Sequence, residues 1–313
     1  MMGERAAPPL DLASYLASRA RVVDAALEGA LPPADAFPGP LHAAMRYSLF
    51  AGSKRMRPIL VVASAEAVGG EIDDVLSTAC AVELIHTYSL IHDDLPSMDD
   101  SAIRRGQPTC HVAFGEALAV LAGDALHALA FELLARTART AGPVRTILVI
   151  EDVAAAIGTQ GMVGGQVLDL LAEGRPALAR LGPWPDVPAD GVQKIHRWKT
   201  AALIRASVRA GAILAGASPD QLRTLSTYGE HLGLAFQIID DVLDETGEAA
   251  VLGKDARVDA ARAKLTFPAA FGVDESRSIA GIETERAIAA LGGWGPRAGV
   301  LAELARMLLV REA

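Results

Sequence analysis

The sequence predicts an all-α fold, and two observations carry this prediction. Aromatic residues make up only 4% of the chain, while Ala, Leu, Arg and Glu are abundant. This composition favours helices and offers little of the β-branched and aromatic surface that is typical of strands. Apolar residues also recur at spacings of three and four, the pattern of amphipathic or buried helices, without the alternation of strands. We therefore expect helices to form the core.

The helical spacing predicts a series of helices separated by turns. The predicted helices cover residues 40–51, 58–68, 75–95, 112–139, 144–170, 192–216, 220–245 and 278–291. Glycine and proline mark the turns at Gly69-Gly70, at Ala141 to Pro143 and at Gly292-Gly293. Ser218 before Pro219 predicts an N-cap followed by proline at the first helical position.

Length and charge limit the organisation and the partners of the protein. The chain has 313 residues and a net charge of −9, with no stripe of Lys and Arg, which argues against nucleic-acid binding. Both flanks of the proline-rich segment 174–191 have the same composition. We therefore interpret this segment as a surface loop and predict a single domain over residues 1–313.

Cysteine usage and hydropathy predict a soluble, cytoplasmic protein without membrane contact. Cys80 and Cys110 lack metal-ligand spacing and suit a reducing compartment, where they are expected in the core. The start of the sequence has no apolar signal segment. The apolar stretch 117–134 is interrupted by Asp124, His127 and Glu132, which is unusual for a membrane span.

Two acidic clusters each follow an apolar helical run. The first extends from His92 to Asp100, and Pro96 within it is expected to loosen the helix after Asp94 and let Asp99 fold back towards Asp93. The second is 240–244, where Asp240 and Asp244 share a helix face. Carboxylates at the negative end of a helix need a compensating cation. Paired carboxylates that cannot complete an octahedron alone are typical of Mg²⁺ sites finished by substrate phosphates.

Basic residues fall in short sets that point to a diphosphate ligand. They occur in the segment 52–58, at Arg104-Arg105, at Lys199 and at Lys254. Arg57 precedes Pro58 at a predicted helix start, where an anion is favoured, and arginine can bind phosphate through two hydrogen bonds. A solvated surface is the alternative for each set taken alone.

In this combination the motifs resemble those of the bacterial short-chain trans-prenyl diphosphate synthases, most of all farnesyl diphosphate synthase. Residues 52–58 resemble the family's GGKRxRP, 93–99 its first DDxxxxD, 104–106 its RRG and 240–244 its second DDxxD. Lys199-Thr200, Gly164 to Gln166 and Phe236-Gln237 also match family positions. The resemblance covers about residues 40–270. It implies an antiparallel helical bundle that encloses a deep central cavity, usually in a homodimer.

The resemblance also implies roles for individual residues. Mg²⁺, as three ions per site, would be held by Asp93, Asp99 and Asp240, with Asp94, Asp241 and Asp244 as direct or indirect partners. The allylic diphosphate would be held by Arg104, Lys199 and Lys254, and isopentenyl diphosphate by Lys54, Arg57, His86 and Arg105. Thr200 and Gln237 would stabilise the allylic cation, and no protein nucleophile is needed.

Chain length is expected to depend on Tyr88, five residues before Asp93. At 1.5 Å per residue, Tyr88 lies about 7.5 Å deeper along the helix, where a growing tail could meet its ring. In the family that the motifs resemble, an aromatic residue at this position accompanies the C15 product. Its neighbour Ser89 is too small to act as the stop. Core packing is the alternative role for Tyr88, and an internal hydrogen bond is the alternative to a catalytic role for Gln166.

Some positions depart from the family pattern, and rival functions stay open. The departures are Ser53 for the second glycine, Ser101 and Ala102 for two further aspartates, and Val258 for a lysine. Geranylgeranyl diphosphate synthase is the rival with the same chemistry. A class I terpene cyclase would lack the second diphosphate site, and a non-catalytic partner subunit would be expected to have lost aspartates. The preferred primer, the pathway and the role of the loop 174–191 do not follow from the sequence.

Overall fold

The computed structural model describes residues 11–174, 191–247 and 264–310 and confirms the all-α fold. The helices are α1 (Leu12–Ala30), α2 (Gly39–Leu49), α3 (Met56–Val68), α4 (Ile72–Asp93), α5 (Cys110–Phe114), α6 (Glu116–Arg136), α7 (Ala138–Ala141), α8 (Pro143–Ile157), α9 (Met162–Ala172), α10 (Gly191–His196), α11 (Ala202–Leu214), α12 (Pro219–Thr246), α13 (Phe267–Phe271), α14 (Val273–Ala290) and α15 (Gly299–Val310). A π-helical segment, Arg197–Ala201, joins α10 to α11, and a 3₁₀ turn, Gly295–Ala298, precedes α15.

The core is built around helices that are apolar on nearly every side. α4 packs against α3 and α6, while α12 packs against α11 and α14. α3, α4 and α11 bury residues around most of their circumference, as expected for helices that other helices surround. Cys80 and Cys110 are both buried and unpaired by disulfides, as predicted.

The predicted start of α12 is confirmed in detail. The Ser218 hydroxyl accepts a hydrogen bond from the Gln221 backbone N–H, and the Gln221 side chain accepts one from the Ser218 N–H. Pro219 occupies the first turn, where its missing N–H costs nothing. This capping box begins the helix that carries the second acidic cluster.

Two of the predicted helices are each divided by glycines. The predicted helix 144–170 is interrupted between Gly158 and Gly161, and the predicted helix 112–139 is interrupted at Gly115, whose φ of 87° ends α5. The periodicity continues across both breaks because the shorter helices pack on the same core. Two further helices were not predicted: α1, where only Val23 and Leu27 are fully buried, and α15.

A small hairpin corrects the expectation that strands are lacking. Ile103–Arg104 (β1) pairs antiparallel with Gln107–Pro108 (β2), with Ile103 opposite Pro108. Arg105 (φ 53°) and Gly106 (φ 74°) form the turn in the left-handed region. Strands of two residues are too short to produce an alternating pattern in the sequence. The hairpin places Arg104 and Arg105 directly after the first acidic cluster.

Candidate active site

The first acidic cluster folds back on itself where α4 ends. α4 ends at Asp93, and the Asp99 N–H donates to the Asp93 carbonyl at 2.7 Å. Proline disfavours helical geometry in the residue before it, so Pro96 prevents α4 from continuing. Asp93 and Asp99 are therefore neighbours in space as well as members of one motif.

Cationic and amide groups surround these carboxylates. Lys264 Nζ lies 2.9 Å from an Asp99 oxygen, and Lys199 Nζ lies 3.8 Å from an Asp93 oxygen. Gln166 Nε2 donates to the other Asp93 oxygen at 2.7 Å. The internal hydrogen bond considered for Gln166 therefore exists, and its acceptor is a predicted metal ligand. This hydrogen bond from Gln166 helps to fix the orientation of the Asp93 carboxylate.

Asp94 points to a different partner from Asp93. Its carboxylate accepts hydrogen bonds from Arg104 Nε at 2.9 Å and from Arg104 Nη2 at 2.7 Å. Asp94 is buried, and this burial raises its pKa while the bonds from Arg104 oppose the rise. In this structure Asp94 holds Arg104 in place. Asp94 is thus an indirect partner of the site.

The π-helical segment brings Lys199 and Thr200 into the site. π-helical turns are rare and frequent at functional sites, because the extra residue redirects the side chains that follow. A Cβ on Gly165 of α9 would lie 2.3 Å from the Lys199 backbone nitrogen, so only glycine allows this close approach. Lys199 Nζ also binds Asp169 at 2.7 Å. Burial alone would lower the pKa of Lys199, but Asp93 and Asp169 raise it above its usual range.

The second acidic cluster has one carboxylate that is turned into the protein. Asp241 is buried and accepts hydrogen bonds from Gln237 Nε2 at 2.9 Å, from the Phe267 N–H at 3.0 Å and from His196 Nε2 at 2.9 Å. Burial acts to raise the pKa of Asp241, but these donors lower it overall. Asp241 is therefore a structural anchor, while Asp240 and Asp244 are partly exposed on α12.

Two connections bring the acidic clusters together. Lys199 contacts Asp93, and the next residue, Thr200, donates to Gln237 Oε1 at 2.6 Å on the helix of the second cluster. Lys264 contacts Asp99, and three residues later the Phe267 backbone contacts Asp241. Each connection runs through only two to four residues of the chain. We therefore infer that the two acidic clusters lie close to each other.

Three of the residues predicted for the second diphosphate, Arg57, His86 and Arg105, also lie near one another. Burial and then the positive charges of Arg57, Arg105 and Arg104 lower the pKa of His86 well below its usual range. A neutral histidine among guanidinium groups marks a place where an anion is favoured. Arg57 lies over the Phe236 ring at 6.0 Å, and Lys54 is exposed in the loop that precedes α3.

Ser53, a departure from the family pattern, has a clear structural role. Its hydroxyl donates to Glu83 at 2.5 Å and accepts from the Arg55 N–H at 3.2 Å. Arg55 is in the left-handed region (φ 51°), and its guanidinium binds Glu83 at 2.8 Å and Asp24 at 2.7 Å. Ser53 thus adds a bond to the network that holds the loop of Lys54, which leads into the first turn of α3, where Arg57 lies.

Tyr88 lies on α4, and its side chain faces α6. Its ring packs on that of His127 with centroids 4.6 Å apart, and the residue is 7% exposed. Burial raises the pKa of Tyr88 to about 12. Ser89 donates to the His86 carbonyl of its own helix at 2.8 Å. The position of Tyr88 is that of a buried ring one and a half turns below Asp93.

The donor chemistry of the aspartates fits Mg²⁺. Carboxylate oxygens are hard ligands, and ammonium groups already lie against Asp93 and Asp99, so these positions attract cations. Within residues 11–174, 191–247 and 264–310, no three His, Cys, Asp or Glu side chains are grouped closely enough to hold a metal by themselves. Lys254 and Val258 lie outside the described residues.

Three residues of this site were missed by sequence reasoning. Lys264 binds Asp99, Asp169 binds Lys199, and His196 binds Asp241. Helical spacing offered a signal for two of them, because Asp169 lies three residues after Gln166 and His196 lies four before Thr200. Lys264 had no comparable signal, because its contact with Asp99 joins positions 165 residues apart in the chain.

Comparison with known proteins identifies the family. The family model described as polyprenyl synthetase matches residues 39–288. The chain belongs to the polyprenyl synthetase family. Several curated proteins at 42–46% identity carry the name geranylgeranyl pyrophosphate synthase. One of them, geranylgeranyl pyrophosphate synthase 11, chloroplastic, from Arabidopsis thaliana, is 44% identical over 304 residues, which cover 96% of this chain and 83% of that protein.

Solved structures show the same all-α isoprenoid synthase fold. An FPP/GFPP synthase from Zymomonas mobilis matches with a TM-score of 0.82 and 36% identity, covering 96% of this chain and 99% of that one. A geranyltransferase from Helicobacter pylori, solved with magnesium and isoprenyl diphosphate, matches with a TM-score of 0.81 and 30% identity, covering 97% and 98%. This protein is thus a prenyltransferase, whereas the predicted specificity for a farnesyl product has less support than its geranylgeranyl alternative.

Proposed function

We propose that the protein condenses isopentenyl diphosphate with allylic diphosphates to give geranylgeranyl diphosphate, with release of diphosphate. The connections between the two acidic clusters, together with the basic residues around His86, support a site for two diphosphate substrates. The names of the relatives at 42–46% identity support the C20 product over the C15 product that the sequence reading favoured.

Basic side chains would bind the two diphosphates, and carboxylates would bind the metal. Lys199 and Arg104 would bind the allylic diphosphate, while Arg57, Arg105 and Lys54 would bind isopentenyl diphosphate beside neutral His86. When bound, Mg²⁺ would neutralise the departing diphosphate, and Asp93, Asp99 and Asp240 are the residues to hold it, with Asp244 beside them. The H. pylori structure with magnesium and isoprenyl diphosphate supports this choice of metal; three ions per site is part of the proposal.

Thr200 and Gln237 would then face the allylic cation. Preorganised dipoles stabilise developing charge most when they need no reorganisation, and these two side chains are already bonded to each other at 2.6 Å. The isopentenyl double bond would attack the cation, and the released diphosphate would take up the proton. No protein nucleophile takes part.

Product analysis tests this function directly. Purified protein with Mg²⁺ is incubated with isopentenyl diphosphate and, separately, dimethylallyl, geranyl or farnesyl diphosphate, and the products are separated by chain length. A C20 prenyl diphosphate from each primer is expected. A cyclic hydrocarbon from one allylic substrate alone would instead identify a terpene cyclase, and lack of turnover would favour a non-catalytic subunit.

Farnesyl diphosphate is the second candidate product, and Tyr88 favours it. The ring is 7% exposed and is supported by His127 of α6, so it would resist displacement by a growing tail. A ring about 7.5 Å below the first aspartate is well placed to stop a short chain. A parent enzyme that accepts geranyl but not farnesyl diphosphate would favour this candidate.

Tyr88→Ala is expected to lengthen the main product by at least one C5 unit, because removal of the ring opens space below Asp93. Product length relative to the parent is the measurement. Losing a buried aromatic costs about 3–5 kcal/mol of stability, so the melting temperature is measured alongside, with Tyr88→Phe as the matched control. A folded, active Tyr88→Ala protein with the parental product would show that the floor lies elsewhere.

Arg57→Ala is expected to raise KM for isopentenyl diphosphate by about tenfold or more, since a charge-assisted bond to phosphate contributes about 1.5–3 kcal/mol. KM for the allylic substrate should change little. Lys254→Ala, in the segment outside the described residues, should show the opposite pattern. Arg136→Ala, an exposed arginine paired with Glu132, is the control. Equal effects of Arg57→Ala on both substrates would contradict the assignment.

We propose a homodimer formed through an exposed apolar surface on α6, α8 and α9. Seven large apolar side chains are 40–72% exposed there: Val120, Leu121, Val144, Ile147, Leu148, Val163 and Val167. A monomeric protein rarely exposes such an apolar surface to water.

Residues 116–141 and 143–172 are also long and apolar enough to span a membrane. This is weak support for membrane contact, because core helices of soluble proteins meet the same criteria.

Light scattering is expected to give about twice the monomer mass of 32.6 kDa. Ile147→Glu should dissociate the dimer because it buries an unpaired charge. A monomeric parent protein, or sedimentation of the parent with vesicles of neutral lipid, would contradict the dimer.

A cytoplasmic location and a single domain over residues 1–313 stay predictions.

A further inference from the structure

A chain of buried hydrogen bonds leads from the proposed cation site to His196. Thr200 donates to Gln237 Oε1 at 2.6 Å, Gln237 Nε2 donates to Asp241 at 2.9 Å, and His196 Nε2 lies 2.9 Å from the other Asp241 oxygen. His196 is 5% exposed, and its ring packs on Phe267 with centroids 5.2 Å apart. It lies next to the π-helical segment that carries Thr200.

Each group in the chain determines the direction of the next. A carboxylate only accepts hydrogen bonds, so Asp241 turns the NH₂ group of Gln237 towards itself. The Gln237 carbonyl oxygen then faces Thr200 and accepts its hydroxyl proton. With that proton engaged, the lone pairs of the Thr200 oxygen are free to face a cation. A flipped Gln237 amide would reverse this arrangement and leave the hydroxyl without a fixed direction.

Asp241 itself is held by two donors on the same oxygen. One is the Phe267 N–H at 3.0 Å, and the other is His196 Nε2. The second imidazole nitrogen, Nδ1, is buried and has no hydrogen-bond partner among the described residues. The contact with Asp241 is therefore the single polar interaction of the His196 ring in the described part of the chain. A histidine kept only for packing would not need this buried polar contact, since an apolar ring would pack equally well.

We propose that His196 is a positioning residue for the prenyl-transfer reaction. By donating to Asp241, it fixes the Gln237 amide and, through that amide, the orientation in which the Thr200 oxygen faces the allylic cation. This inference rests on the proposed function. To the proposed function it adds one residue, His196, which would contact neither substrate and would act only on the transition state.

The test compares His196→Leu with His196→Gln. Leucine fills similar space without a donor, whereas the glutamine Nε2 can replace the imidazole Nε2–H. His196→Leu is expected to lower kcat by about tenfold or more, the loss typical of removing a group that orients an active-site residue, with both KM values within about twofold of the parent. His196→Gln is expected to recover most of the lost kcat. A packing role alone would lower the melting temperature of both variants and spare kcat in the folded fraction.

A double-mutant cycle with Gln237→Leu tests the route of the effect. If His196 acts through Gln237, adding His196→Leu to Gln237→Leu should cause little further loss of kcat. Multiplicative losses, equal kcat values for the leucine and glutamine variants, or a folded His196→Leu protein with parental kcat would each overturn the inference while the parent still condenses its substrates. A parent that does not condense them would overturn the proposed function and the inference together.

Discussion

Replacing Asp93 with alanine is expected to lower kcat by at least about 10²-fold, or about 2.7 kcal/mol on the barrier. Asp93 is the carboxylate on which Gln166 and Lys199 converge, so its removal takes away a proposed metal ligand, the acceptor of the Gln166 hydrogen bond and one of the two carboxylates beside Lys199. Asp240→Ala should cause a loss of the same order from the other cluster. Single-turnover measurement of diphosphate release separates this loss from product release.

Two further variants exclude a general loss of structure. Asp93→Asn keeps the volume and an acceptor for Gln166, yet it should lose nearly as much activity, since a neutral amide is a poor ligand for a hard cation. Asp73→Ala removes an exposed carboxylate from the first turn of the same helix and should leave kcat near the parental value. Near-normal turnover of both Asp93→Ala and Asp240→Ala would show that the metal site is elsewhere.

Chelation with EDTA is expected to abolish turnover completely, and added Mg²⁺ should restore it. Aspartate oxygens without thiolate or clustered histidine ligands select a hard cation, and the two cysteines are buried in the core. Without the metal, the departing diphosphate would carry its full charge against a cluster of carboxylates. Initial rates across a Mg²⁺ titration are the measurement.

A binding readout makes the metal prediction independent of turnover. Mg²⁺ together with inorganic diphosphate should raise the melting temperature more than either alone, because each would complete the site for the other. Circular dichroism of the EDTA-treated protein should match that of the untreated protein. Full turnover in metal-free buffer, or equal activity with a soft cation, would contradict the proposed mechanism.

Much of the fold followed from local patterns. The start of α12 at Ser218 and Pro219 and the end of α4 before Pro96 were predicted because capping and proline geometry act within a few residues. The break at Gly158 to Gly161 was not predicted, since apolar spacing continues through it. The product length depended on a single residue, Tyr88, in the sequence-based prediction, and the names of the relatives support the geranylgeranyl alternative more than the predicted farnesyl product.

The sequence by itself determined the helical class, the acidic and basic motifs and their order, because these depend on residue type and short spacing. Only the tertiary structure decided that Asp241 faces inward to His196 while Lys264 reaches Asp99 from 165 residues away in the chain. It also decided that Ser53 joins the Arg55–Glu83 pair. Such contacts depend on the angles at which separate helices pack, and those angles result from the summed packing of the whole core rather than from any local segment.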